Sequence, residues 1–224
     1  MRSRIVLLVL TLSLATAGVL AGPGLASASN CSNFHGRLAV KGFVRLYVRG
    51  STGNLNKYYY TCVGRRGKVF KLPGQDGGDT AHLGTFAVGA GSYIAWSNLD
   101  VEEASPIAQA TVWSMTARTG RVTVNNVPAW PNANDPALPN SNVLVDSIVQ
   151  VNDGSLAWLA NLQTNNTPPG GQTNNWAVVR IGASGTHTTL ALNPNLTNLD
   201  NPGDGSTVTW EDNGAPMSAP LKGT

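Results

Sequence analysis

The sequence lacks the residue patterns on which most enzymatic and metal-dependent chemistry depends. It contains no Gly-x-Ser-x-Gly elbow, which presents the nucleophile in many serine hydrolases. The three histidines, His35, His82 and His187, lack the His or Cys spacing of a zinc site. These absences favour a protein that binds over one that catalyses, and we expect no cofactor.

The first 28 residues are predicted to form a secretory signal peptide. Arg2 and Arg4 give a short basic start, and residues 5–14 form a mostly aliphatic run. Residues 26–28 (Ala-Ser-Ala) fit the small-x-small rule for signal-peptidase cleavage. We therefore expect cleavage after Ala28 and a protein secreted to the extracellular space or the cell envelope.

An uncleaved membrane anchor is the alternative, because the uncharged run is long enough to span a bilayer. The Gly-Pro-Gly interruption at residues 22–24 argues against a stable spanning helix. We therefore expect no stable membrane insertion after cleavage. Residues 29–224 are then long enough to form one domain with a sizeable core.

Cysteine is also scarce, since the chain has only Cys31 and Cys62. They are too far apart for the Cys-x-x-Cys motif that lowers a thiol pKa, so a redox role is not expected. An even pair in an exported chain is expected to form a disulfide, with two buried free thiols as the alternative. Closing this loop would stabilise the fold by about 3–4 kcal/mol.

Helical periodicity is nearly absent after the signal peptide. Residues 44–49 alternate apolar residues with Arg, Tyr and Arg, and similar short runs are separated by Gly, Pro, Asn, Thr and Ser. This period of two predicts an all-β sandwich, barrel or propeller. The segments 128–142 and 163–175 are rich in Pro, Asn, Thr or Gly and are predicted to be exposed loops.

Three short runs begin with Gly-Ser and end in Trp96, Trp158 and Trp210. Their period of roughly 50 to 60 residues is typical of an array of small β-units that bury apolar faces against their neighbours. Stacking on sugar rings is the alternative role for these tryptophans. Their recurrence at one structural position favours packing in the core.

Four units of similar plan can be traced, at residues 31–72, 80–127, 143–193 and from 196 onward. Within them, residues 152–158 resemble the Asp-Gly hairpin of WD-like repeats in Tol-type periplasmic propellers. Residues 118–121 (Arg-Thr-Gly-Arg) resemble the turn that closes such a blade, and the resemblance covers most of residues 31–221. It implies a small β-propeller-like array of about four antiparallel blade units, the last incomplete. It implies no activity, because propellers host binding, assembly and catalysis alike.

Charge is distributed unevenly along the chain. Residues 37–71 contain nine Lys or Arg and no acid, whereas the chain from Asp76 onward contains twelve acids and four bases. Bases interleaved with aromatics can bind polyanions, and a solvated strand face is the alternative interpretation. Trp130, between two prolines, is expected to be an exposed contact aromatic. The candidate binding residues are Arg45, Tyr47, Arg49, Lys57, Tyr59, Arg65, Arg66 and Trp130.

The sequence thus predicts a secreted, non-enzymatic binding module for a protein or an anionic envelope polymer. Secretion makes nucleic acid a less suitable polyanion. One rival is a glycan-active hydrolase, since paired carboxylates can hydrolyse glycosides, and another is an envelope assembly subunit whose partner completes the fourth unit. The hydrolase would draw its carboxylates from Asp100, Glu102, Glu103 and Glu211.

A calcium loop is a further hypothesis. Asp200, Asp204 and Glu211 partly match the EF-hand pattern, but Pro202 takes the place of one ligand. Residues 206–210 are predicted to form a strand, whereas an EF-hand needs a helix there. A looser site built from Asp200, Asp204 and loop carbonyls is the alternative.

Overall fold

The computed structural model describes residues 31, 37–49, 58–64, 66–74, 81–89, 91–101, 107–164, 173–183, 185–203 and 205–222. Fifteen strands make up most of this part of the chain, which confirms the all-β prediction. The signal peptide lies outside the described residues and stays a prediction. Among the residues that the structure places, no helix is both long and apolar enough to cross a membrane.

Strands that follow one another in the chain pair as antiparallel meanders, which we number in chain order. The first meander consists of β1 (Arg37–Lys41), β2 (Val44–Arg49), β3 (Tyr58–Val63) and β4 (Phe70–Lys71). The second consists of β5 (Ala81–Val88), β6 (Tyr93–Val101), β7 (Ala108–Thr116) and β8 (Val122–Pro128). The third consists of β9 (Ser141–Gln150), β10 (Leu156–Thr164), β11 (Thr173–Ile181) and β12 (His187–Asn193), and the fourth of β13 (Leu196–Asp200), β14 (Thr207–Asp212) and β15 (Ala215–Pro220).

The meanders form three sheets, because the second and third share one sheet of eight strands. Strands β7 and β9 join them through a parallel pairing of Gln109 with Val143. Two side chains reinforce this junction. The amide of Gln109 donates to the carbonyl oxygen of Ser141 (3.0 Å), and the amide oxygen of Asn142 accepts the N–H of Ala108 (2.8 Å). Among the described strands, none of these sheets closes on itself, so the expected separation into four units is replaced by three sheets.

The repeated tryptophans are core residues, as the sequence predicts. Trp96, Trp158 and Trp210 lie on β6, β10 and β14, the second strand of the second, third and fourth meanders. Their side chains are between 0 % and 4 % exposed. Burial to this degree excludes stacking of these rings on a sugar at the surface.

Each of these tryptophans packs between its own meander and the one before it. Trp96 shares a cluster with Val44 and Leu46 of the first meander, and Trp158 shares one with Val112 of the second. A third cluster joins Trp210 to Leu159 and other residues of the third meander. Three apolar layers therefore hold the four meanders together in chain order.

Strand β10 is buried on both faces, which explains its continuous apolar run. Trp158 faces the layer shared with the second meander, whereas Ala157 and Leu159 face the layer shared with the fourth. Successive side chains of a strand point to opposite faces, so a strand between two layers needs apolar residues at every position. Residues 156–160 supply them, and all five are buried.

The Arg-Thr-Gly-Arg turn of the second meander packs closely against the first meander. Gly120 has a φ of 73°, and a Cβ at this position would lie 2.2 Å from the ring of Phe70 on β4. Glycine supplies the left-handed backbone and also the space for the aromatic ring. This turn therefore requires glycine for packing between meanders.

The predicted disulfide between Cys31 and Cys62 is present, with a Cα–Cα distance of 6.0 Å. Both cysteines are buried in a small cluster with Tyr47 and the partly buried Val69. The N–H of Cys31 donates to the carbonyl oxygen of Gly67 (3.3 Å). The bridge therefore ties the start of the described chain to β3 and to the turn that follows it.

The predicted loops agree with the strand boundaries. Strand β8 ends at Pro128 and β9 begins at Ser141, with a short 3-10 helix (Leu138–Asn140) between them. The other predicted loop is bounded by β10 and β11, and its central residues, 165–172, lie outside the described chain.

Candidate functional site

The basic segment folds into the first meander, whose two faces differ in character. Val44 and Leu46 of β2 are fully buried in the layer that contains Trp96. Because side chains alternate along a strand, Arg45, Tyr47 and Arg49 project from the opposite face. We call this the outer face of the first meander.

Cross-strand register adds residues of β3 and β4 to the outer face. Arg49 is paired with Tyr58, Tyr47 with Tyr60, and Tyr60 in turn with Lys71. Directly opposite residues of an antiparallel pair share a face, so these side chains lie together. The ammonium of Lys71 lies 4.3 Å from the ring centroid of Tyr58, which is cation–π geometry.

The cations of the outer face are accessible. Arg49 and Lys71 are exposed, Tyr58 is 36 % exposed, and Arg45 and Tyr60 are half-buried. The Nε of Arg45 has no hydrogen-bond partner among the described residues. This atom is buried, so Arg49 and Lys71 supply the accessible charge of the face.

The structure places the predicted basic residues in three ways. Arg45 and Arg49 lie on the outer face, and Arg66 is exposed in the turn between β3 and β4. Lys57 and Arg65 lie outside the described residues. Lys71 and Tyr60, which the cross-strand register places on the outer face, were missed as candidates.

Two predicted contact aromatics are not at the surface of this face. Tyr47 is only 3 % exposed, because the disulfide covers it, and its hydroxyl lies 3.9 Å from the Sγ of Cys31. Tyr59 lies on the opposite face, against the layer that contains Trp96. Partial burial raises the pKa of its phenol above the ordinary value of 10.0. Tyr47 is therefore a packing residue and not a surface contact, whereas the role of Tyr59 as a ligand contact stays a prediction.

The expectation that Trp130 is exposed is wrong. Its side chain is 4 % exposed and belongs to the same core cluster as Trp158. The proline-rich loop folds back so that the indole N–H donates to the carboxylate of Asp135 (3.1 Å). The neighbouring carbonyl of Ala129 accepts the indole N–H of Trp158 (2.8 Å). With both indoles hydrogen-bonded, their burial leaves neither N–H unsatisfied.

The carboxylates of the hydrolase hypothesis are not brought together in the described part of the chain. Asp100 is exposed near the end of β6, whereas Glu211 lies on β14 of the fourth meander. Glu211 instead lines a shallow depression of about 500 Å³ with Asp200. Glu102 and Glu103 lie outside the described residues, so no acid–base pair can be assigned from this geometry.

The described residues do not form the ligand cluster that the calcium hypothesis requires. Among them, no group of three or more His, Cys, Asp or Glu side chains could hold a metal ion. Asp204 lies outside this set. Residues 207–212 form β14, which agrees with the predicted strand. Asp200 accepts the N–H of Asn201 (2.7 Å) and Glu211 is close to the hydroxyl of Thr197 (3.5 Å).

The last strand, β15, is chemically unsuited to pairing with another strand. The N–H of Leu221 donates inward to Ser206 (2.7 Å), so by alternation the backbone groups at positions 216, 218 and 220 point outward. Two of these positions are Pro216 and Pro220, which have no N–H to donate. Prolines on an outer edge discourage strand addition. This edge therefore gives no support to a partner that completes the fourth meander by β-pairing.

Comparison with known proteins adds no relative to this picture. A scan against models of protein families finds no match to the chain, and a search of the curated proteins finds none either. The predicted basic segment forms the outer face of the first meander, which is the candidate site of this chain.

Proposed function

We propose that the protein is a secreted, non-enzymatic binding module whose outer face holds an anionic polymer of the cell envelope or extracellular space. The observation that carries this proposal is the placement of Arg45, Arg49 and Lys71 beside Tyr58 and Tyr60 on one solvent-facing sheet. No Asp or Glu occurs between residues 37 and 71. The field above this face is therefore not cancelled by carboxylates of its own strands.

The spacing of the cations suits a repeating ligand. Neighbouring strands lie about 4.8 Å apart, so Arg49 on β2 and Lys71 on β4 are separated by roughly 10 Å across the sheet. A polymer that crosses the strands can place successive anionic groups on these cations. Tyr58 lies between them, and its partly exposed ring can contact the polymer backbone.

The scaffold that we propose is a propeller-like array in which the four meanders act as blade units and the fourth is incomplete. Its support is the placement of the first strands, since β5 packs against both β1 and β9, and β9 packs against β13. The recurrence of tryptophan on the second strand of three meanders is consistent with the same plan. Such a scaffold would display the outer face of the first meander at one side.

Neutralising two cations of the outer face is expected to weaken binding to dextran sulfate by about tenfold, because exposed charge pairs contribute up to about 1 kcal/mol each. The test variant is Arg49→Gln/Lys71→Gln. The matched control is Arg121→Gln/Lys222→Gln, which removes the same charge from exposed positions that do not lie on this face. Equilibrium titrations at low ionic strength give both affinities.

The control is expected to stay within about twofold of the unaltered protein, since its charges act only at long range. Neutral dextran of the same length is expected not to bind. Equal losses in both variants would show that net charge, and not the outer face, governs affinity. Equal binding of neutral dextran would replace the charge-based proposal with recognition of sugar rings.

A further inference from the structure

A cavity of about 320 Å³ lies where the four meanders meet. Each meander contributes its first strand to the lining. Lys41 comes from β1, Phe86 from β5, Ile148 and Gln150 from β9, and Asp200 from β13. These residues are far apart in the sequence, so the cavity is a product of the tertiary fold. None of the residues that line the cavity belongs to the outer face of the first meander.

The wall of the cavity contains a buried amide with an unused acceptor. Gln150 is 6 % exposed, and its amide nitrogen donates to the hydroxyl of Ser114 (2.8 Å) and to the carbonyl of Gly154 (3.4 Å). Its Oε1 has no hydrogen-bond partner in the described part of the protein. This oxygen has almost no accessible surface, so Gln150 shapes the wall of the cavity and does not offer this atom to a ligand.

Two opposite charges line the same cavity without neutralising each other. Lys41 makes no hydrogen bond or ion pair with the described residues, and one carboxylate oxygen of Asp200 accepts only the N–H of Asn201 (2.7 Å). The other oxygen of Asp200 has no partner among these residues. An ammonium and a carboxylate on separate meanders can therefore contact the two ends of a dipolar ligand.

The rest of the lining is apolar except for Asn201. Phe86 is 37 % exposed, and Ile148 of the neighbouring meander lines the same cavity. Ligand pockets commonly combine an apolar wall with a few polar groups that fix orientation, and their volumes begin at about 300 Å³. The volume here suits a ligand of amino-acid or dipeptide size.

We propose that this cavity binds a zwitterionic small molecule of the α-amino-acid class with an apolar side chain. The ligand carboxylate contacts Lys41, and the ligand ammonium contacts Asp200. The apolar side chain packs against Phe86 and Ile148. This site is independent of polymer binding on the outer face, and each can exist without the other.

The test uses the full mature chain and three related probes: L-phenylalanine, 2-phenylethylamine, which lacks the carboxylate, and 3-phenylpropionate, which lacks the ammonium. Isothermal titration is expected to give about tenfold tighter binding of L-phenylalanine than of either truncated probe, as one charge-assisted hydrogen bond contributes on that order. Lys41→Met is expected to abolish only the preference for L-phenylalanine over 2-phenylethylamine. Asp200→Asn keeps an oxygen that can accept the N–H of Asn201. It is expected to abolish only the preference for L-phenylalanine over 3-phenylpropionate.

Lys222→Met and Asp146→Asn serve as matched controls, because both residues are exposed and neither lines the cavity. Both controls are expected to retain the full preference for L-phenylalanine. Amide chemical shifts give a second measurement that does not depend on any variant, and we expect L-phenylalanine to shift the signals of Phe86 and Gln150. Absence of binding at about 10 mM, equal binding of the three probes, or shifts confined to other residues would overturn the proposal.

Discussion

Replacing Trp158 by alanine is expected to lower the free energy of unfolding by about 3–5 kcal/mol, the range found for large aromatic side chains removed from a core. The residue is fully buried in the layer between the second and third meanders. Its indole N–H donates to the carbonyl of Ala129 (2.8 Å), so the variant also leaves a buried acceptor unpaired. Chemical denaturation followed by circular dichroism measures the loss.

Two further variants separate packing from hydrogen bonding at this position. Trp158→Phe retains an aromatic ring but removes the donor, and is expected to lose less stability than the alanine variant. Leu192→Ala is the control for an apolar residue outside the layers, since Leu192 is 62 % exposed, and is expected to change stability by no more than about 0.5 kcal/mol. A loss below about 1 kcal/mol for Trp158→Ala would contradict the assignment of this layer as the centre of the core.

Removing the disulfide is expected to cost about 3–4 kcal/mol, because the bridge restricts the unfolded chain across a sequence separation of 31 residues. The variant is Cys31→Ala/Cys62→Ala, compared with the unaltered protein in the presence and absence of a reducing agent. Both sulfurs are buried beside Tyr47, so loss of the bridge also loosens packing beneath the outer face. Denaturant midpoints and m-values provide the comparison.

The reduced unaltered protein is expected to approach the stability of the double variant. The reducing agent is expected to have no effect on the double variant, which serves as the control for effects of the reagent itself. If removal of both cysteines left the denaturation midpoint unchanged, the bridge would have no part in holding the first meander together.

Local sequence patterns predicted much of the fold because they reflect local physics. Alternation at residues 44–49 separated the buried from the basic face of β2, and the repeated tryptophans indicated core positions on the second strands of three meanders. Residues 58–63, which form β3, are mostly aromatic or β-branched, and such residues favour a pleated, half-buried strand.

The remaining features depend on residues that are distant in the chain or on hydrogen bonds that no pattern reveals. Trp130 was expected at the surface because prolines flank it, but it packs in the core and its indole N–H donates to the carboxylate of Asp135. The second and third meanders share a sheet through the pairing of β7 with β9, beside which Gln109 donates to Ser141, 32 residues later. The cavity where the four meanders meet is likewise lined by both Lys41 and Asp200, and sequence alone cannot place these residues together.

The salt dependence of dextran sulfate binding tests the proposed role of the outer face most directly. Cations that bind a polyanion release its counterions, so the logarithm of the affinity is expected to fall linearly with the logarithm of the salt concentration. Each cation removed is expected to reduce the slope by about one, so Arg49→Gln/Lys71→Gln is expected to reduce it by about two, and Arg121→Gln/Lys222→Gln to leave it unchanged. A slope that is flat in the unaltered protein, or the same in both variants, would contradict the assignment of this face as the binding surface.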